Sequence, residues 1–118
     1  AKTLSAIIRG WVLVSRGPRG GLLVEAAQGI ALTARAPQVP VVNTVGAGDA
    51  LLAAVVGRLL SGAAPAHCLR WGVGVGTAAT TLPAGHLPSR AAVEACVARV
   101  RVDSPTVWRA ARDPNTAR

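Results

Sequence analysis

Between Val39 and Leu60 the chain changes character twice within a few residues. Val39-Pro40-Val41-Val42 is a short extended piece, because the residue before a proline is kept out of the helical region. Asn43-Thr44-Val45-Gly46-Ala47-Gly48-Asp49 then makes a glycine turn, and Leu51, Leu52, Val55, Val56 and Leu59 follow at helical spacing. Extended chain, glycine turn and helix together create a chemical opportunity. The first N–H groups of a helix have no acceptor inside it, and the helix dipole adds about half a positive charge there. That combination binds anions. Gly46 and Gly48 carry no Cβ, so an anion can come close to the backbone. Asp49 lies in the same first turn. A carboxylate is out of place if the turn only binds phosphate. It fits if a proton must leave a hydroxyl that is about to attack that phosphate. The plainer reading of the same residues is a tight turn followed by an acid at a helix start.

The flanking segments predict alternating strands and helices. Residues 2–9 read as the end of a helix. Trp11-Val12-Leu13-Val14-Ser15 is an apolar run that stops at Gly17-Pro18-Arg19-Gly20-Gly21 and resumes at Leu22-Leu23-Val24, which is the pattern of strand, turn and strand. Ala31–Ala36 reads as a further strand ending at Pro37. Ser61-Gly62 closes the helix that follows the glycine turn. A second helix is predicted from Pro65 to about Thr81. Gly72, Gly74 and Gly76 weaken it in isolation, so it must pack closely on a neighbour. Those glycines also invite a dinucleotide-binding reading, but Thr77 and the helical context break that fingerprint, and a packing face of small residues is the better account. Ser89 is a good N-cap for a third helix with Val93, Val97 and Val100 on one face. Strands followed by helices make the chain an α/β piece. Its strands are few, and a complete domain would show more of a sheet.

Composition narrows the function classes. There is no Phe, Tyr or Met, so the core must be built from Ala, Val and Leu. The absence of Met fits a chain that begins mid-protein, and no secretory n-region or h-region precedes the first element. The formal net charge of +8 comes from twelve Arg and the single Lys2 against five acids. These cations are scattered and not interleaved with aromatic residues, so a nucleic-acid partner is not expected. The uncharged stretch after Trp71 is broken by Gly and Pro, so no membrane span is expected. Cys68 and Cys96 have no CxxC spacing and fit buried thiols in a reducing cytoplasm. No set of His, Cys and acids has metal-ligand spacing, so no protein-held metal is expected. His86 reads as a solvated loop histidine, and Trp11, Trp71 and Trp108 as partly buried rings.

The segment Asn43–Asp49 resembles the C-terminal signature of the PfkB, or ribokinase-type, carbohydrate kinases, whose usual form is Asp-Thr-x-Gly-Ala-Gly-Asp. Every position matches except the first. Val12–Val24 resembles the family's strand, "S-x-G-x-x-G" turn and strand, at the right spacing upstream. Gly76-Thr77-Ala78-Ala79 and Gly85-His86-Leu87-Pro88-Ser89 resemble the helix and loop that close over adenine. The likeness covers roughly residues 8–102. Asn43 in place of Asp is similar to 1-phosphofructokinase and tagatose-6-phosphate kinase, whose acceptors already carry a phosphate. The same change removes a carboxylate that helps ribokinase-type members build a monovalent-cation site.

The resemblance implies a ribokinase-like three-layer α/β/α fold, C-terminal part only. Residues 1–104 would be the ATP-binding and catalytic portion, and 105–118 a frayed, basic tail. The implied activity is ATP-dependent phosphoryl transfer to a hydroxyl of a sugar phosphate. Asp49 would be the general base, and Gly46, Ala47 and Gly48 the anion hole. Ser15, Arg16, Gly17, Pro18, Arg19 and Gly20, with Gly48 and Asp49, would hold ATP, and Mg²⁺ would accompany the phosphates. The alternative is a non-catalytic nucleotide-binding fragment that lacks the sugar site and lid. An apolar face left open by a partial fold would favour a homodimer.

Overall fold

The structure, a computed structural model, describes residues 1–104. The frayed tail expected at 105–118, with Trp108, lies outside the described residues. Helix α1 (Lys2–Ile8) leads into β1 (Trp11–Ser15), β2 (Gly21–Glu25) and β3 (Ile30–Arg35). Helices α2 (Ala47–Leu60), α3 (Pro65–Thr80) and α4 (Arg90–Arg99) follow, and β4 (Arg101–Asp103) closes the described chain. The four strands form one antiparallel sheet in the order β1-β2-β3-β4.

Strand alternation divides the apolar residues between two faces. Leu13, Leu23 and Leu32 are cross-strand partners on one face. With Ala34 they meet Leu51 and Val55 of α2 and Leu69 and Val73 of α3 in the main core. Val12, Val24 and Ala31 are buried partners on the other face. Helix α1 lies against β1 and β2. Its buried Ser5 ties it down: the hydroxyl accepts from the Ala26 N–H at 2.9 Å and donates to the Gly10 carbonyl.

The glycines of α3 set how closely the helices approach. A Cβ at Gly72 would overlap a Val55 methyl and stand 3.1 Å from the Leu51 carbonyl. One at Gly76 would lie 3.1 Å from the Ala47 carbonyl, also on α2. One at Gly74 would lie 2.9 Å from Val97 Cα on α4. The three therefore form a packing face, two toward α2 and one toward α4. Helix α4 starts as expected, with the Ser89 hydroxyl accepting from the Ala92 N–H at 3.1 Å.

One feature departs from the sequence reading. Strand β4 was not anticipated, since Arg-Val-Asp is too short to show a pattern. It forms because Val102 pairs opposite Ala34 and joins the core edge. Residues 39–42 stay outside the sheet. Pro37 and Pro40 lack an N–H for a ladder, and the Val42 and Asn43 N–H groups donate instead to the Thr80 carbonyl, at 2.8 and 3.1 Å. Leu52, Val56 and Leu60 recur every fourth residue on α2 and are exposed.

A pair of glycine substitutions tests the packing account. Gly72→Ala is expected to lose about 2 kcal/mol of stability through overpacking. Gly57→Ala, on α2 with open space around its Cβ position, is expected to gain about 0.5–1 kcal/mol from helix propensity. Urea midpoints of both variants check the opposite signs.

Candidate functional site

The start of α2 is built by its own turn. Asn43 Oδ1 accepts from the Val45 N–H at 2.7 Å, which folds the chain back before the glycines. The Thr44 carbonyl accepts from the Ala47 N–H at 3.2 Å. Gly46 caps the helix at φ +84°, in the left-handed region that glycine enters without strain. The first helical bond runs from the Ala50 N–H to the Gly46 carbonyl at 2.9 Å. The Gly48 and Asp49 N–H groups are left without an acceptor among the described residues. Of the trio Gly46, Ala47 and Gly48, Ala47 has its N–H engaged in the turn. Gly48 has open space at its Cβ position, so its backbone can be approached. Asp49 is exposed on the same turn.

The β1–β2 hairpin supplies a second backbone surface. Its connection holds a short 3₁₀ turn, Gly17–Arg19, and the Arg16 N–H donates to the Gly20 carbonyl at 2.8 Å. Gly20 sits at φ +91°, and any Cβ there would overlap the Ala34 carbonyl. Only glycine lets the turn lie down on the end of β3.

Between these surfaces lies a cleft of about 660 Å³. The hairpin turn contributes Ser15, Gly17, Pro18 and Gly20 to its wall. The turn and start of α2 contribute Thr44, Ala47, Gly48 and Leu51, and α3 contributes Val73, Gly76, Thr77 and Thr80. Thus six of the expected site residues share one cleft: Ser15, Gly17, Pro18, Gly20, Ala47 and Gly48. Arg16, Arg19, Gly46 and Asp49 are not part of its wall. All four are exposed next to it in the chain.

Residues 36–39 and Val41 also line the cleft and were not singled out from sequence. Their signal is Pro37 and Pro40, which mark an extended stretch barred from the sheet. The loop expected to close over the cleft does not reach it. Residues 83–86 turn on themselves, with the His86 N–H on the Pro83 carbonyl at 3.2 Å and Gly85 at φ +81°. His86 and Leu87 are exposed as a result.

No charged side chain lines the wall, which is mostly aliphatic with a few hydroxyls and the Gln38 amide. Such a slot suits a flat, weakly polar group, while the helix start at one end suits an anion. Trp71 is turned elsewhere: the Arg58 guanidinium lies 4.1 Å from its ring centre. Among the described residues no three His, Cys, Asp or Glu side chains come together as a metal site, and no helix is long and apolar enough to cross a membrane.

A model of the pfkB family of carbohydrate kinases matches residues 1–91. The chain belongs to that family. The family member is 32% identical to a protein described as a phosphofructokinase from Staphylococcus aureus, with a TM-score of 0.72 over 80% of this chain and 30% of that one. It is 34% identical to phosphofructokinase-2 from Escherichia coli, solved with substrates and products, at a TM-score of 0.67 over 75% of this chain and 28% of that one. Ribokinase from Arabidopsis thaliana, solved with ribose and ATP, is 26% identical at a TM-score of 0.64, over 74% and 28% of the two chains. No match was found among curated proteins. The fold is ribokinase-like α/β, and the chain spans about 30% of the length of the S. aureus relative.

Cys68 and Cys96 are free and buried. Burial pushes both thiols above their ordinary range, only partly offset at Cys68 by a backbone hydrogen bond and Arg58, and at Cys96 by Arg99. Since the folded state favours the neutral thiol, this contribution to stability is full below the ordinary thiol pKa. It is lost as pH rises through the raised value. Iodoacetamide at pH 8 is expected to label both cysteines slowly in the folded protein and quickly in urea, read by mass spectrometry.

Proposed function

We propose that this chain carries the ATP-handling and catalytic part of a pfkB-type kinase that phosphorylates a hydroxyl of a sugar phosphate. The observation that carries the reading is the shared cleft, which brings the hairpin turn and the start of α2 to one space. The aliphatic slot would take the adenine. The hairpin turn, Ser15 to Gly20, would wrap the nucleotide with backbone groups, and Arg16 and Arg19 would supply exposed positive charge beside it.

Asp49 would act as general base, taking the proton of the acceptor hydroxyl as the hydroxyl oxygen bonds to the γ-phosphorus and the bond from that phosphorus to the departing ADP breaks. Unengaged N–H groups at the start of α2, with Gly48 foremost, would hold the charge that builds on the transferred group. Losing one such donor costs about 3 kcal/mol of barrier. No three His, Cys, Asp or Glu side chains come together among the described residues, so Mg²⁺ would arrive with the nucleotide's phosphates. Asn43 forms the turn with its side-chain oxygen, and its place in the signature, where ribokinase-type members have Asp, is the ground for reading the acceptor as a phosphosugar. The free thiols accord with a reducing compartment such as the cytoplasm.

A second reading is nucleotide binding without transfer. It is favoured by the exposure of Asp49 and by the share of the relatives that the chain spans. Calorimetric titration of ATP with Mg²⁺, run beside transfer assays on fructose 1-phosphate, tagatose 6-phosphate, fructose 6-phosphate and ribose, separates the two. Binding with transfer to a phosphosugar supports the first reading, and binding alone the second. In any form of the protein that turns over, Asp49→Asn is expected to lower turnover about 10²–10⁴-fold with ATP affinity nearly unchanged. Near-normal turnover would sink the general-base assignment.

A further inference from the structure

One side of the cleft, residues 36–41, belongs to no strand, so something other than the sheet must keep it in place. At its far end the Val42 and Asn43 N–H groups hang on the Thr80 carbonyl. In its middle Val39 packs against Ala78, Val93, Cys96 and Val97. Nearest the hairpin turn, Arg99 Nη2 donates to the Gln38 carbonyl at 3.0 Å, across 61 residues of sequence. Arg99 stands in the last turn of α4 and has no carboxylate partner among the described residues. The Arg90–Glu94 pair on the same helix is a local i,i+4 contact and does not compete for it.

We infer that Arg99 is a positioning residue for the nucleotide cleft, acting through Gln38 and Val39 without lining the cleft itself. The inference rests on the reading of the cleft as the nucleotide site. Gln38 and Val39 both line the wall. Clamping the carbonyl between them fixes the position of that stretch of the wall. An exposed hydrogen bond of this kind adds little to overall stability. It can still matter to binding, because a wall held in its bound position has less freedom to lose.

The test compares Arg99→Ala and Arg99→Lys with the unmodified protein in three measurements: ATP affinity by calorimetry, Tm, and backbone NMR order parameters at Gln38 and Val39 without nucleotide. Arg99→Ala is expected to weaken ATP binding about fivefold to tenfold, lower both order parameters and leave Tm nearly unchanged. Arg99→Lys, which keeps a donor and the charge, is expected to recover most of the affinity and order. Unchanged affinity in Arg99→Ala overturns the inference, as does weaker binding with unchanged order at Gln38 and Val39, which would indicate charge attraction alone. Weaker binding that tracks a fall in Tm also overturns it. If the unmodified protein binds no ATP while the order parameters still respond to Arg99, the clamp stands as a structural contact. The nucleotide reading then fails, and this inference with it.

Discussion

Helix α3 touches α2 along a line where α3 can carry no side chain. Gly72 faces Val55 and the Leu51 carbonyl, and Gly76 faces the Ala47 carbonyl at the very start of α2. Dispersion forces fall steeply with separation, so this approach gives a core without Phe or Tyr the contact density it needs. It also fixes where the positive end of α2 stands relative to the sheet. Leu51 and Val73 sit at the junction, belonging both to the main core and to the cleft wall. Stability and site geometry are thus set by the same contact.

The chemistry of the site is carried more by backbone than by side chains. Gly46 permits the left-handed cap, Gly48 opens the N–H groups, and Gly20 lets the hairpin turn rest on β3. These positions leave an aliphatic cleft flanked by unengaged donors, with Asp49 and the two hairpin arginines just outside it. The charged side chains sit at the rim and the cleft wall itself carries none.

Much of this was legible in the residues. The turn and helix at Gly46–Leu60 announce themselves because glycines, an acid and a 3.6-residue period coincide. The β1–β2 hairpin is legible because two apolar runs flank a Gly-Pro cluster. Strand β4 was not, since three residues carry no period and its existence depends on Val102 finding Ala34. The wall at 36–39 is hidden for a related reason: its role comes from Arg99 on Gln38 and from the cluster of Ala78, Val93, Cys96 and Val97 against Val39, all at least 39 residues away in sequence. The loop at 85–89 is expected over the cleft by resemblance, yet it follows a tight turn at Gly85 and lines none of the wall. Local pattern reports local structure, and these three features are settled by distant partners or by a single dihedral.

The prolines that keep residues 36–41 out of the sheet also separate two kinds of inheritance. A substitution within a strand must respect register and both faces of the sheet. Gln38 and Val41 answer to no ladder, so their side chains can vary without disturbing strand pairing. A substitution at either position changes the lining of the cleft and leaves the pairing of the four strands as it is.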